Sequence, residues 1–159
     1  MLVLAACTST GSGGGSAPVP AASGLPAGDR AHVDRVVDGD TIIVDGERVR
    51  LIGINAPESV KPDSPVECFG PEASAELKHL LPRRTPVLLE YDLDREDQYG
   101  RTLAYVWLTD PPRLINAELV RDGFATVATY RPNVAHLEEL QAAEDTARAA
   151  GRGLWSTCS

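Results

Sequence analysis

The sequence predicts an α+β domain built on a small closed β-barrel of five strands, with three helices attached to it. Two observations predict this class. Between residues 31 and 128, several short runs alternate apolar and polar residues and are separated by Gly, Asp and Pro, as in antiparallel strands with one buried face. Three other stretches place apolar residues along one face of a helix. With 159 residues, the chain has room for one such domain and little else.

Residues 31–54 predict three strands in a curved meander. Asp38-Gly39 and Asp45-Gly46 interrupt the alternating pattern at the two places where the chain must reverse. Tight hairpin turns require positive φ angles, which glycine adopts without steric cost. We therefore expect a hairpin turn at each of the two pairs.

A helix and two more strands are predicted next. The helix should start at Pro71, because proline is favoured in a first helical turn, and end before Pro82. Strands are expected at residues 87–91 and 102–108, on either side of a polar turn at residues 94–100. The acidic residues around that turn lack the glycine and the final glutamate of a calcium-binding loop, so we interpret them as solvated.

Two further helices are predicted near the C-terminus. The second helix covers residues 114–121 and is closed by Gly123, and residues 124–128 form a short extended segment. The third helix covers residues 134–150, carries its apolar residues on one side and ends at Gly151.

The first 29 residues predict an export signal and a tether. Leu4-Ala5-Ala6-Cys7 is similar to the cleavage site of bacterial lipoproteins, so residues 1–7 are interpreted as a truncated signal peptide and Cys7 as the lipidation site. Residues 8–29 consist mainly of Gly, Ser, Thr, Ala and Pro, which predicts a flexible linker. The folded domain is expected to cover residues 30–159, outside the cytoplasm and anchored to the cell membrane. The alternative is that the segment is the leader of a fully secreted protein.

The net charge of −8 limits the kinds of partner. Proteins that coat nucleic acid through a general electrostatic field present a basic stripe, so this chain does not belong to that class. Any positive site must be local. Thirteen of the fifteen basic residues are arginines, whose planar guanidinium groups can bind phosphate through two hydrogen bonds.

Three polar segments contain the residue types that hydrolysis of a phosphodiester requires. Asp40 follows an Asp-Gly turn, Arg50 and Glu58 delimit a strand and the loop after it, and Arg101 follows a Tyr-Gly pair. Arginine can neutralise phosphate oxygens, one carboxylate can hold a hard cation, and another can take a proton from water. Each residue alone also fits an ordinary turn or an exposed strand position, so none identifies a site by itself.

The order and spacing of these segments resemble the staphylococcal nuclease (thermonuclease) family. The resemblance covers residues 31–156. It implies an OB-fold barrel and a calcium-dependent endonuclease that acts on DNA and RNA, works as a monomer and leaves 3′-phosphates. The matching segments are Asp38-Gly39-Asp40-Thr41, Arg50 to Glu58, Gly70-Pro71-Glu72-Ala73-Ser74, Tyr99-Gly100-Arg101, Leu103-Ala104-Tyr105, Asn116 to Gly123, Tyr130-Arg131-Pro132-Asn133 and Leu154-Trp155-Ser156.

The resemblance also implies a Ca²⁺ site. Its ligands would be the side chains of Asp40 and Asn55, the carbonyl oxygen of Ala56, and water. The family's best-known member has Asp where this chain has Asn55. An amide oxygen can coordinate calcium but adds no charge, so we expect weaker calcium affinity than an aspartate would give.

Catalytic and substrate-binding residues are implied in the same way. Arg50 and Arg101 would bind the scissile phosphate, and Glu58 would activate the attacking water. Tyr99 and Tyr130 would line the groove for the nucleotide. The stretch of chain around Tyr130 is one residue shorter than the family's pattern and lacks one groove tyrosine, and the neighbouring Arg131 is expected to compensate in part.

The cysteines predict one disulfide. Once Cys7 is assigned to the lipid, Cys68 and Cys158 remain as an even pair, and an even pair in an oxidising compartment is expected to be joined. The bridge would connect the C-terminal tail to the loop after Glu58. Two separate free thiols are the alternative.

Two classes without catalysis remain open from the sequence. A barrel of this kind can bind nucleic acid or protein without cutting either, or it can bind a sugar or a peptide. A non-catalytic descendant would be expected to lose Arg50, Glu58 or Arg101, and all three are present. The sequence therefore favours hydrolysis.

Overall fold

The structure is a computed structural model, and it describes residues 24–59 and 65–158. Cys7, the predicted signal segment and most of the predicted linker lie outside these residues. The first strand begins at Asp29, and Gly28 already packs on the domain, because a Cβ on Gly28 would lie 2.3 Å from the carbonyl oxygen of Leu89.

The described chain forms eight strands, of which five close into a barrel. They are β1 (Asp29–Asp38), β2 (Thr41–Val44), β3 (Glu47–Leu51), β4 (Ile54–Asn55), β5 (Pro86–Glu90), β6 (Thr102–Thr109), β7 (Pro112–Leu114) and β8 (Thr126–Val127). The main sheet has the order β3-β2-β1-β5-β6-β7, and a parallel pairing between β3 and β6 closes it. β4 pairs with β8 outside the barrel. The predicted α+β class with a five-stranded OB-fold barrel is confirmed.

The barrel core consists of the apolar residues whose alternation predicted the strands. Val33, Ile42 and Val49 are fully buried in β1, β2 and β3. Burying an aliphatic side chain of this size contributes roughly 1.5–3 kcal/mol. His32 and Arg48, next to Val33 and Val49, are exposed, as a barrel with one solvated face requires.

One of the two predicted hairpin turns has the expected backbone and the other does not. Asp45 and Gly46 have φ angles of 47° and 85°, as a two-residue hairpin turn requires. Gly39, by contrast, does not have a positive φ. It is needed because a Cβ there would lie 2.5 Å from the Cβ of Ala56 and 2.9 Å from that of Ala73. The missing side chain therefore lets the turn after β1 pack against two other segments.

The three predicted helices are present within one residue of their predicted bounds, except at the start of the third. They are α1 (Gly70–Leu80), α2 (Ile115–Arg121) and α3 (Leu137–Ala149), and a short α4 (Leu154–Thr157) follows. The prediction that the third helix starts at residue 134 was wrong by three residues. The reason is tertiary, because the Asn133 side chain is buried and bonds the backbone N–H and carbonyl of Asp94, which holds this stretch in a loop.

A buried asparagine fixes α2 to the barrel. The Nδ2 of Asn116 donates to the Ile52 carbonyl at 2.8 Å, and its Oδ1 accepts from the Val106 N–H at 2.9 Å. A buried polar group is stable only with such partners. The bonds fix α2 to β6 and to the loop after β3.

The predicted disulfide is present. Cys68 and Cys158 are joined with an S–S distance of 2.05 Å across a separation of 90 residues. The bridge connects the tail after α4 to the turn before α1.

Within residues 24–59 and 65–158, no helix is both long enough and apolar enough to span a bilayer.

Candidate active site

An open cavity of about 810 Å³ lies at one end of the barrel. Its walls come from the loops after β1 and β4, from β3, and from the segments before β6 and α3. All nine residues predicted for metal binding, catalysis or substrate binding line it, although they come from four separate parts of the sequence. They are Asp40, Arg50, Asn55, Ala56, Glu58, Tyr99, Arg101, Tyr130 and Arg131.

Asp40 is the buried acid of the site. It is 8% exposed, and its Oδ2 accepts from Nη2 of Arg50 at 3.0 Å and from the Ala56 N–H at 2.9 Å. Burial raises the pKa of Asp40 to about 6, against the lowering effect of the Arg50 guanidinium, and the nearby Asp38 raises it further. A carboxylate in this position is stabilised by positive charge beside it.

One nitrogen of Arg50 lies between two predicted metal ligands. Its Nη2 contacts Oδ2 of Asp40 and also donates to Oδ1 of Asn55 at 3.3 Å, while Nη1 donates to the Leu51 carbonyl at 2.9 Å. The oxygens of Asp40 and Asn55 therefore converge on one positively charged group. Oxygen donors of this kind suit a hard cation such as Ca²⁺.

The possible metal ligands of this cavity do not form a site built from several carboxylates. Within the parts of the chain that the structure describes, no group of three or more His, Cys, Asp or Glu side chains is arranged to hold a metal. A cation here would need Asp40 together with the neutral oxygens of Asn55 and Ala56 and with water. The residues fit a calcium ion with one buried protein carboxylate.

Arg101 is held in place by a residue of its own turn. Its Nε and Nη2 both donate to Oδ2 of Asp97 at 2.7 Å, and its guanidinium lies 5.5 Å from the centre of the Tyr99 ring. Although burial alone would raise the pKa of Asp97, bonds from the N–H groups of Arg101 and Tyr99 and from the guanidinium lower it. The interpretation of this turn as merely solvated missed the function of Asp97, which is to orient Arg101.

Glu58 lies in the loop after β4 and is half-buried. Its Oε1 accepts from the Ser59 N–H at 3.0 Å, and its own N–H donates to Oε2 of Glu67 at 2.9 Å. Glu67 also lines the cavity. Glu67 was not predicted, because no residue pattern connects it with Glu58, which lies nine residues earlier.

The rim of the cavity is aromatic and exposed. Tyr99 and Tyr130 are 74% and 68% exposed, and Arg131 next to Tyr130 is also exposed. Exposed aromatic rings can stack on bases without reading their sequence.

The charge of the cavity is unfavourable for a polyanion. Among the described residues that line it, seven carry carboxylates and three carry guanidinium groups. An anionic ligand in this cavity would therefore depend on the local arginines and on any bound cation.

Comparison with known proteins decides the family. Residues 48–157 match the family described as "Staphylococcal nuclease homologue". The chain belongs to the staphylococcal nuclease family. It is 44% identical over 128 residues to a thermonuclease of Staphylococcus hyicus, with 78% of this chain and 74% of that protein covered. It is 42% identical over 146 residues to a thermonuclease of Staphylococcus intermedius, with 89% and 84% covered. It is 36% identical over 130 residues to endonuclease YncB of Bacillus subtilis, with 78% and 60% covered.

Membership of the staphylococcal nuclease family agrees with the resemblance that the polar segments predicted. The residues that sequence reasoning missed are the ones that hold the site in place, namely Glu67, Asp97 and Asn133. Each of these residues acts through hydrogen bonds to backbone groups or to a neighbouring charged group, and neither residue type nor spacing predicts such bonds.

Proposed function

We propose that this member of the staphylococcal nuclease family is a calcium-dependent endonuclease that hydrolyses phosphodiester bonds of DNA and RNA and leaves 3′-phosphates. Membership of this family supports a nuclease, an enzyme that hydrolyses nucleic acids. The calcium-dependent mechanism is supported by one observation: Arg50, Arg101 and Glu58 line one cavity beside Asp40.

The two arginines would bind the non-bridging oxygens of the scissile phosphate. Both guanidinium groups already point into the cavity from fixed positions, Arg50 through Asp40 and Arg101 through Asp97. Preoriented donors stabilise the charge that grows on a transferring phosphoryl group without reorganising at the moment of reaction.

Glu58 would act as the general base. It takes a proton from water, the water oxygen forms a bond to phosphorus, and the P–O5′ bond breaks. The 5′ oxygen leaves and takes a proton from solvent water, and the phosphate stays on the 3′ side. A base positioned in this way contributes roughly 10²–10⁴-fold to the rate.

Asp40, Asn55 and the Ala56 carbonyl would hold the calcium ion. Bound calcium would neutralise charge on the phosphate and so assist its attack by water. Because the cavity has more carboxylates than guanidinium groups, the cation also makes the site acceptable to an anionic substrate.

Tyr99, Tyr130 and Arg131 would bind the nucleotides on either side of the cut. Stacking on exposed tyrosines favours unpaired bases and does not distinguish DNA from RNA. We propose the same permissive use of both nucleic acids here.

We further propose that the protein works outside the cytoplasm as a monomer. The Cys68–Cys158 disulfide supports an oxidising compartment. The predicted division into a signal segment, a linker over residues 8–29 and a nuclease domain over residues 30–159 stays a proposal, as does the lipid anchor on Cys7.

The test incubates purified protein with plasmid DNA and with RNA, in calcium or in a chelator. We expect cleavage of both in calcium alone, with the Glu58→Ala protein folded and at least about 10²-fold slower. Binding of nucleic acid without cleavage would instead support a non-catalytic module. Full activity of Glu58→Ala would remove Glu58 as the base.

A further inference from the structure

Glu67 bonds the backbone of Glu58 in both directions. The Glu58 N–H donates to Oε2 of Glu67 at 2.9 Å, and the Glu67 N–H donates to the Glu58 carbonyl oxygen at 2.9 Å. The two bonds restrain the peptide groups on both sides of the Glu58 Cα. The direction in which the Glu58 side chain leaves the backbone is therefore set by Glu67.

The Glu58 carboxylate is in turn tied to the same stretch of backbone. Its Oε1 accepts from the Ser59 N–H at 3.0 Å, and the residue lines the cavity. A base must lie within hydrogen-bond reach of the proton that it takes, and a misplacement of about 1 Å can cost roughly 10²-fold in rate. Restraining this backbone therefore restrains the reacting group.

Glu67 itself is held by contacts that do not involve Glu58. The next residue, Cys68, is joined covalently to Cys158 in the C-terminal tail. The ring of Phe69 stacks on that of Phe124, with centroids 5.4 Å apart. The turn that carries Glu67 is thus attached to two other parts of the fold.

This turn lies directly against Glu58. The Gly70 N–H donates to the Glu67 carbonyl at 3.0 Å, and a Cβ on Gly70 would lie 2.5 Å from the Glu58 carbonyl oxygen. Any side chain at residue 70 would push the two segments apart. The close approach is required for the two bonds between Glu58 and Glu67.

We propose that Glu67 is the positioning residue for Glu58. The proposal rests on the proposed function, in which Glu58 is the base. Glu67 acts as a hydrogen-bond acceptor, and its charge is not required. The neutral carboxamide of glutamine offers the same acceptor oxygen, so Glu67→Gln should preserve the arrangement and Glu67→Ala should not.

The first experiment compares these two variants by steady-state cleavage of DNA in calcium. We expect Glu67→Ala to lower kcat roughly 10–100-fold with KM changed less than about twofold, and Glu67→Gln to stay within about threefold of the parent. Glu72→Ala is the matched control, because Glu72 is an exposed glutamate near the start of α1 that does not line the cavity. Equal losses in Glu67→Ala and Glu67→Gln would overturn the proposal, because the charge would then be the cause.

A double variant tests whether Glu67 acts through Glu58. In a Glu58→Ala background, adding Glu67→Ala should change kcat less than about twofold, because the group that it positions is gone. A further loss similar to that of the single variant would overturn the proposal. If Glu58→Ala alone is fully active, the proposed base fails, and that result is distinct from a failure of Glu67.

A measurement without turnover completes the test. Amide hydrogen exchange of the Glu58 N–H should be at least about tenfold faster in Glu67→Ala than in the parent and in Glu67→Gln, because the protecting acceptor is lost. Unchanged exchange in Glu67→Ala would overturn the positioning role even if the nuclease proposal holds. Thermal unfolding of each variant establishes that it is folded.

Discussion

The two sides of the cavity hold their arginines in different ways. On the barrel side, Arg50 belongs to β3, its side chain is 11% exposed, and it bonds Asp40 and Asn55, which come from other segments. On the rim side, Arg101 follows a turn, its side chain is 27% exposed, and its partner Asp97 is four residues away. The barrel side is therefore a product of the tertiary fold, whereas the rim side is built by a local turn.

Removing the two arginines should affect activity similarly and stability differently. Arg50→Ala should lower kcat roughly 10²–10⁴-fold and also lower the free energy of unfolding by about 3 kcal/mol, because Asp40 loses a buried partner. Arg101→Ala should lower kcat by a similar factor but change stability by less than about 1 kcal/mol, since its pair is more exposed. Cleavage rates and urea unfolding measure the two quantities.

Arg113→Ala is the control for the arginine pair. It removes an exposed ion pair with Glu118 that does not line the cavity, so both activity and stability should stay close to the parent. Equal destabilisation by Arg50→Ala and Arg101→Ala would show that the two sides do not differ as described.

The second prediction concerns Asn55 as a calcium ligand on the barrel side. Asn55→Asp adds a charged oxygen beside Asp40, so the calcium concentration for half-maximal activity should fall by about tenfold. A calcium titration of the cleavage rate measures it. Gln141→Glu adds the same charge at an exposed position in α3 away from the cavity and should not lower the requirement. A calcium requirement that stays the same or rises in Asn55→Asp would count against Asn55 as a ligand.

The third prediction concerns Tyr105, a buried residue of β6 whose hydroxyl lies between Asp92 and the His136 N–H. Its hydroxyl donates to Oδ2 of Asp92 at 3.4 Å, and burial, more than any other factor, raises its pKa to about 12. Since the folded pKa lies above the ordinary value of 10.0, folding favours the neutral phenol. This stabilisation is fully present below pH 10 and is lost as the pH rises toward 12.

Tyr105→Phe should therefore remove one component of the alkaline loss of stability. Urea unfolding of the parent and of Tyr105→Phe between pH 9 and pH 12 measures the difference. Identical slopes for the parent and Tyr105→Phe would contradict the assignment.

The last prediction concerns a rim charge and its effect on the KM for DNA. Glu96 is an exposed carboxylate that lines the cavity, so Glu96→Lys should lower KM for DNA by about threefold at low salt. The gain should disappear at high ionic strength, where exposed charges are screened. Glu138→Lys, at an exposed position in α3 away from the cavity, should leave KM unchanged at both salt concentrations.

Local signals in the sequence predicted most of the fold. Alternating apolar residues gave β1, β2 and β3, because a strand with one buried face must repeat every second residue. The Asp45-Gly46 turn was predicted correctly, since its positive φ angles have a direct residue signature. Gly39 was misinterpreted, because close packing against Ala56 and Ala73 is not visible from neighbouring residues.

For the candidate site, the residue types along the chain predicted a chemistry, whereas their arrangement around one cavity depends on the folded barrel. The residue types at Asp40, Arg50, Glu58 and Arg101 follow from what a phosphodiester demands, and their order revealed the family. Only the closed barrel brings them to one cavity, because pairing of β3 with β6 joins segments about fifty residues apart. The residues that position the site, such as Glu67 beside Glu58, could not be predicted either. A hydrogen bond to the backbone of another segment leaves no residue pattern along the chain.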